Sequence, residues 1–237
     1  MKKYLLILFA IITLSWMSCD TLTSIQNSIN TPAALTDSEI IAGLKQALEV
    51  GTGNAVGILN KTDGYMGDAM VKILFPQEAQ RAADKLRQLG MNKLVDDFVV
   101  TLNRSAEKAA AEAKPIFVDA VKQMTFADAR NILSGPDNAA TEYFKGKTTP
   151  ALTSKFTPVI SNALNTCNAT KYWTDITSTY NKIPLVTKVE TDLVKYTTGK
   201  ALDGLFLKLA GEEKKIRTNP AARVTDLLQK VFGSVGK

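Results

Sequence analysis

The chain has 237 residues, of which 45% are hydrophobic and 22% charged, and it contains no histidine. Its size suits one globular domain that buries about 70% of the surface exposed by the unfolded chain. The lack of histidine excludes Ser-His-Asp and Cys-His catalysis, histidine-ligated zinc and imidazole acid–base chemistry.

The first residues, 1–18, have the pattern of a signal peptide. Two lysines precede an apolar run over residues 4–14, which is too short to span a bilayer stably. The next five residues, Ser-Trp-Met-Ser-Cys, resemble a bacterial lipobox that ends at Cys19, except that Trp16 stands where an aliphatic residue is usual. The pattern predicts export and acylation of Cys19. The alternative is an ordinary secretory signal followed by a chance cysteine.

A polar segment follows the cysteine. Residues 19–34 are rich in Thr, Ser and Asn without useful periodicity, so we expect a flexible, lipid-anchored tether that spans about 20 Å. Residues 35–237 then form the domain. If Cys19 is acylated, Cys167 is the only other cysteine and the chain has no intramolecular disulfide, so its stability comes from the core.

The net charge of +6 is spread along the chain rather than concentrated in a run. A nucleic-acid partner would require a basic stripe with aromatic side chains placed for stacking, and neither the charge distribution nor the predicted export supports one. We therefore expect no nucleic-acid partner. The excess of basic residues is weak support for anionic partners.

The first predicted helix has the most regular apolar stripe of the chain. A capping box at residues 36–39 opens it, and apolar positions recur at helical spacing over residues 40–59. Small residues at Gly43 and Gly51 predict a close crossing with another helix. Beyond a turn at residues 63–64, the pattern predicts a short helix over 66–74 and another that begins at Pro76.

The stretch from residue 92 to 144 contains the strongest start and stop signals. Asn92 is the predicted cap of a helix whose apolar face extends to Ala113, and Pro115 suits the first position of the next. Thr125 and Asp128 form a capping box that opens a further short helix, which ends at residues 134–137 before another begins.

The remaining chain also favours helices. Thr149-Pro150 and Thr157-Pro158 each predict the start of a short helix, and residues 166–198 favour helix, with strand or loop as the alternative because of their threonines. Two amphipathic stripes, over 201–209 and 224–232, close the domain. The predicted fold is all-α, a single globular domain of about nine or ten short to medium helices.

Five phrases occur in order along the domain: Leu102-Asn103-Arg104-Ser105-Ala106-Glu107, Met124 to Gly135, Ala139-Ala140-Thr141-Glu142-Tyr143-Phe144, Ala201 to Phe206 and Ile216 to Gly233. With them the chain resembles, from about Leu35 to Gly233, an exported bacterial family of predicted lipoproteins catalogued only as domain-of-unknown-function family 4197. Ser105 stands where we expect alanine in that family. The resemblance implies no catalytic residue, because the family has no assigned activity.

Four polar residues are candidates for one cluster. Asn103 and Glu107 lie one helical turn apart on the flank of an apolar face, whereas Arg104 points away from it. The Thr125 to Leu133 helix can fold back across that flank, which would bring Asp128 and Arg130 close and pair Arg130 with Glu107. The cluster serves either stability or a ligand, and for Asp128 the capping box is the competing explanation.

Three functions remain open. The favoured one is a membrane-anchored, periplasm-exposed lipoprotein of the cell envelope that binds an envelope protein or a ligand, without a cofactor or metal. The second is a carboxylate-dependent enzyme acting on an envelope polymer or small metabolite, which requires two acidic groups to converge in a cleft. The candidate carboxylates are Glu107, Asp128, Asp137, Glu142, Asp203, Glu212 and Glu213. The third is a carrier of an apolar ligand, which requires an enclosed cavity.

A local ion pair is also predicted near the C-terminus. Glu213 and Arg217 are four residues apart, so their side chains meet on one helix face. We expect this pair to lie on a solvated face, where it would stabilise the helix by only about 0.3 to 0.5 kcal/mol.

Overall fold

The computed structural model describes residues 36–76, 79–166, 168–182, 184–185, 188 and 192–234. The predicted signal peptide, Cys19, the tether and Cys167 lie outside these residues. In the described part of the chain every regular element is helical, which confirms the all-α fold, and residues 37–237 form one compact unit. The helices are α1 (Asp37–Leu59), α2 (Gln80–Gln88), α3 (Asn92–Ala110), α4 (Ala113–Lys122), α5 (Phe126–Ser134), α6 (Ala139–Thr166), α7 (Ala169–Tyr180), α8 (Leu193–Thr218) and α9 (Asp226–Ser234), with a short 3₁₀ turn at Pro220–Ala222.

The two longest helices, α6 and α8, pack against each other and form the centre of the domain. On α6 the side chains of Leu152, Phe156, Ile160 and Leu164 recur every four residues and are fully buried. Helix α3 packs on α6, and α1 packs on α8. Each such side chain contributes about 1.5 to 3 kcal/mol through burial, so this face holds the helices together.

A close approach at Gly43 is confirmed. A Cβ atom at this position would lie 2.6 Å from Cγ2 of Val231 on α9. No real Cβ is tolerated at that distance, so glycine is what lets α9 dock on α1. Gly51 is less crowded, since its nearest neighbour would be 3.5 Å away on Ile216.

The prediction of two short helices at Pro150 and Pro158 is wrong, because both prolines lie inside the continuous helix α6. Each proline removes one backbone hydrogen bond and presses against the carbonyl four residues earlier. Those carbonyls belong to Gly146 and Ser154, and the prolines and both of these residues are exposed. Solvent can therefore take the place of the lost bonds while the opposite face stays packed.

The prediction of a helix over residues 66–74 is also wrong, because this stretch forms turns followed by residues without regular secondary structure. A helix would use the N–H and C=O of Ile73 internally, but both are bonded to Asn103 on α3.

The start positions of two helices also differ from the prediction. Helix α3 begins at Asn92 without a side-chain cap, and α4 begins two residues before Pro115.

Other local signals are confirmed. Thr125 and Asp128 form the predicted capping box at the start of α5. Within residues 166–198 the favoured helix is present as α7, followed by the start of α8 at Leu193. The stripe over 201–209 is buried within α8, and the last stripe supplies Leu228, Val231 and Phe232 of α9.

Candidate binding groove

An irregular segment connects α1 to α2, and we call residues 60–76 the clamped segment. Short backbone bonds shape it: Gly67 N donates to the Asp63 carbonyl, and Val71 N and Lys72 N donate to the Asp68 carbonyl. Asp63 has a φ of 65°, a left-handed conformation that aspartate tolerates better than most residues. These turns leave several polar backbone groups without helical partners, so side chains elsewhere must bond them.

Glu107 on α3 bonds the start of this segment. Its side chain is only about 5% exposed. Its Oε1 atom accepts hydrogen bonds from the backbone N–H groups of Tyr65 and Met66, both at 3.2 Å. Its Oε2 atom accepts a bond of 2.6 Å from Arg104. A buried carboxylate is tolerated only when its oxygens are bonded in this way.

Asn103 bonds the other end of the segment. It is completely buried, and its amide exchanges two hydrogen bonds of 2.8 Å with the backbone N–H and C=O of Ile73. The pattern imitates the pairing of one residue in a β-ladder. Asn103 and Glu107, one turn apart on α3, therefore fix the segment at two points eight residues apart in sequence, at Tyr65 and Ile73.

The expected pairing of Glu107 with Arg130 is wrong. Arg130 donates to Asp37 at 3.2 Å across an exposed contact, and it stacks over the ring of Phe126. Asp128 is occupied by its capping box with Thr125, whose hydrogen bonds lower the pKa of Asp128. The structure thus brings Asn103 and Glu107 together on one segment, and it gives Asp128 and Arg130 other partners.

Arg104 is the arginine that pairs with Glu107. It donates to Glu107 and, through its other terminal nitrogen, to Asp63 at 2.8 Å. These two carboxylates raise the pKa of Arg104, Glu107 having the larger effect. The prediction that Arg104 points away from the flank is wrong because its long side chain folds back, while a third of it stays exposed.

Tyr65 anchors the clamped segment to α8. Its ring is fully buried, and its hydroxyl donates to the Ala201 carbonyl at 2.7 Å. Burial, and secondarily the Glu107 charge, raise the pKa of Tyr65 far above its usual range. The ring fits because residue 204 is glycine: a Cβ there would lie 2.8 Å from Cε1 of Tyr65. Lys208 of α8 also pairs with Asp68, and this bond lowers the pKa of Asp68.

The clamped segment and α8 border an open surface groove of about 630 Å³, a volume that includes open solvent. Within it, large apolar side chains remain accessible: Met70 is 72% exposed, Leu74 55% and Leu207 42%. Polar groups alternate with them along the lining. The lining residues include Met70, Lys72, Leu74, Tyr196, Lys200, Asp203 and Leu207.

A second buried carboxylate lies elsewhere, where α5, α6 and α8 meet. Glu213 of α8 accepts hydrogen bonds from the backbone N–H groups of Ala140 and Thr141 at 2.9 Å, in the first turn of α6. Arg217 donates to Glu213 and also to the Ile132 carbonyl, at 2.9 and 2.8 Å. The prediction that this pair lies on a solvated face is wrong, since the two side chains are only 12% and 6% exposed.

The sequence provided little signal for the groove. Tyr196, Lys200, Asp203 and Leu207 form one stripe on α8, but a mixed polar and apolar stripe is typical of a solvated face. For Glu107 and Glu213, the sequence did not indicate how deeply the side chains are buried. Among the described residues, no group of three or more Asp, Glu or Cys side chains is arranged to hold a metal ion.

The fold and this site define an all-α domain with a surface groove whose one wall is fixed by buried polar side chains. The chain belongs to the family described as "Protein of unknown function (DUF4197)", whose model matches residues 34–233. This match confirms the family that the sequence phrases resemble. No curated protein and no solved structure matches the chain at a significant level. In the described part of the chain, no helix is both long and apolar enough to cross a membrane.

Proposed function

We propose that the protein is an exported, lipid-anchored binding protein of the cell envelope, and that the groove between the clamped segment and α8 is its binding surface. The observation that supports this proposal is the exposure of Met70, Leu74 and Leu207 along one concave surface. Large apolar side chains gathered in this way mark interaction sites more often than isolated ones do.

The rigidity of the groove wall supports the same function. Asn103 and Glu107 hold the clamped segment against α3, and Tyr65 ties it to α8. A wall that is already fixed loses little conformational entropy when a ligand binds. The buried polar bonds thus serve to hold an apolar rim in position.

The two other functions have less support. Glu107 and Glu213, the most constrained carboxylates described, are already bonded by backbone N–H groups and an arginine, so neither is available as an acid or a base. A carrier of an apolar ligand would enclose its cargo, whereas the groove is open and its lining includes Lys72, Lys200 and Asp203.

The lipid anchor rests on the segment that ends at Cys19. We expect the mature protein to begin at Cys19, to carry a thioether-linked diacylglycerol and an N-acyl chain, and to partition into the detergent phase, because two or more chains give stable anchoring. Intact-mass measurement of the protein from membranes checks this, with Cys19→Ser as the control that should stay in the aqueous phase. An unmodified N-terminus at any other residue would contradict the proposal.

The groove is tested by photocrosslinking in a bacterial host that expresses the full chain. A photoreactive amino acid at Leu74 should give a discrete crosslinked product, and Leu207→Asp on the facing helix should remove it. The matched control is Leu89, which is similarly exposed at 65% but lies in the turn between α2 and α3, outside the groove. Equal products from Leu74 and Leu89, or a product unaffected by Leu207→Asp, would show that the groove is not the binding surface.

A further inference from the structure

We infer that the groove takes a short acidic peptide segment that carries apolar side chains, an inference that rests on the groove being the binding surface proposed above. The charges, the length and the mixed lining of the groove support this inference. Any protein of the envelope that exposes such a segment has the chemistry of the occupant.

The positive charges of the groove are poorly compensated. The side-chain ammonium of Lys72 has no hydrogen-bond or ion-pair partner among the described residues, although Lys72 lines the groove between Met70 and Leu74. Lys200 is 3.8 Å from Asp203, and both side chains are more than half exposed, so this contact is weak. By contrast, Lys208 is engaged by Asp68. Two lysines facing one acidic residue leave the groove with a net positive charge, which a ligand carboxylate would complement.

The length of the groove fits a short extended segment. Tyr196, Lys200, Asp203 and Leu207 lie on one face of α8, and from first to last this stripe covers about 16 Å at 1.5 Å per residue. About five residues of extended chain span the same distance. On the opposite wall Val71 and Ile73 are buried, while Leu74 faces out.

The lining favours a peptide over an acyl chain. An acyl chain would bind best to a continuous apolar surface. On the α8 stripe, however, Lys200 and Asp203 lie between Tyr196 and Leu207. A peptide alternates polar and apolar groups and can match such a surface. Met70, the most exposed apolar side chain of the groove, is unbranched and flexible, which suits contacts with side chains of different shapes.

The test uses the full mature chain, residues 19–237, with Cys19→Ser to keep it in solution. The probes are two pools of labelled six-residue peptides in which Leu, Met, Phe or Val alternate with Glu or Asp in one pool and with Gln or Asn in the other. Oleate is a third probe. Fluorescence polarisation measures binding of the labelled peptides, and displacement of a bound label by oleate measures binding of oleate. Both measurements are made on the wild-type protein and on the Lys72→Glu, Lys155→Glu and Leu207→Asp variants.

We expect the acidic pool to bind about tenfold more tightly than the amide pool, and the preference to shrink as salt is raised, because it is electrostatic. Lys72→Glu should abolish the preference. Lys155→Glu makes the same charge change at an exposed position of α6 outside the groove, and it should keep the preference within about twofold. Leu207→Asp should weaken binding of the acidic pool.

Other outcomes separate this inference from the proposed function. If both pools bind equally, or if only oleate binds, and Leu207→Asp removes that binding, the groove is a binding surface but its acidic-peptide preference is refuted. If Lys155→Glu acts as strongly as Lys72→Glu, the preference reflects net charge and the inference also fails. If no probe binds in a way that Leu207→Asp changes, both the inference and the proposed groove fail.

Discussion

Glu107 and Glu213 are two buried carboxylates with similar partners and different roles, although Glu213 accepts one further hydrogen bond, from the Thr141 hydroxyl. Each accepts hydrogen bonds from two consecutive backbone N–H groups and from an arginine on its own helix. Around Glu213, the N–H groups belong to the first turn of α6, where a negative charge also suits the helix dipole. Around Glu107, they belong to the clamped segment, which has no regular secondary structure.

The two arginines that pair with these carboxylates also differ in burial and in their further partners. Arg217 is nearly buried and also bonds the Ile132 carbonyl, so it joins the end of α5 to α8. Arg104 remains about one third exposed and bonds an exposed aspartate. Glu213 thus holds core helices together, whereas Glu107 positions a surface wall. Substitutions at Glu213 should therefore act on global unfolding, and those at Glu107 mainly on local opening.

The largest effect is expected for Glu213→Ala. It leaves the buried guanidinium of Arg217 and two backbone N–H groups without their acceptor, so we expect the free energy of unfolding to fall by about 3 to 5 kcal/mol. Denaturant titration with an unchanged m-value measures this loss. Glu212→Ala is the matched control: Glu212 is the adjacent residue and is also buried, but its ion-pair partner Lys215 is 61% exposed and can be hydrated again. Equal losses for the two variants would contradict a special role of Glu213.

A smaller and more local effect is expected for Glu107→Ala. The partly exposed Arg104 can turn to solvent, so we expect a loss of about 2 to 3 kcal/mol, mostly from the unsatisfied N–H groups of Tyr65 and Met66. Hydrogen exchange should show faster exchange over the clamped segment, while protection in α6 and α8 changes much less. Arg130→Ala serves as control, since its exposed contact with Asp37 contributes less than about 1 kcal/mol. Uniform loss of protection across the chain would refute the distinction between the two carboxylates.

Much of the fold could be predicted from local patterns, because apolar stripes at helical spacing decide where most helices lie. The errors occur where distant residues override a local rule. Pro150 and Pro158 are helix breakers by local rules, yet the buried face from Leu152 to Leu164 keeps α6 continuous. Residues 66–74 have a helical pattern, yet Asn103 withdraws the backbone groups of Ile73 from it.

Part of the candidate site could also be predicted from the sequence, and part of it could not. A helical projection correctly placed Asn103 and Glu107 on one flank, because both side chains follow the direction that their Cα atoms indicate. It misplaced Arg104, since a long side chain can reach groups that its Cα direction does not indicate. The groove itself depends on how residues 70–74 lie against α8, a relation between segments more than a hundred residues apart in sequence that no local pattern carries.

The next prediction concerns the fit between the clamped segment and α8. Gly204→Ala would place a Cβ 2.8 Å from Tyr65 and 3.2 Å from Val71, so we expect it to destabilise the protein by about 1 to 3 kcal/mol through overpacking. Gly211→Ala on the same helix has no neighbour within 4 Å and should stabilise by up to about 1 kcal/mol through helix propensity. Thermal and denaturant unfolding of both variants measures this opposite pair of effects. Changes of the same sign would show that Tyr65 does not fit against α8 as described.

The smallest expected effect concerns Tyr65 at high pH. Its pKa is raised in the folded protein because the phenol is buried, so the folded state keeps the proton while the unfolded chain releases it above a pH of about 10. The stability associated with the neutral phenol is therefore complete below that pH and declines above it, by at most about 1.4 kcal/mol per pH unit. Tyr65→Phe lacks this proton and also the hydrogen bond to Ala201, which we expect to contribute about 1 kcal/mol at neutral pH.

The difference in stability between the wild-type protein and Tyr65→Phe should therefore shrink as the pH rises above about 10, because only the wild-type protein loses the contribution of the neutral phenol. Denaturant titrations of both proteins at a series of pH values measure this difference, and the other titrating groups largely cancel because they are common to both. Hydrogen exchange at the highest pH should show the clamped segment of the wild-type protein opening before α6 and the half of α8 around Glu213, because Tyr65 anchors only that segment. A stability difference that stays constant across this range would mean that the Tyr65 hydroxyl is not buried against α8, and that the clamped segment is held to α8 by other contacts, such as the Asp68–Lys208 pair.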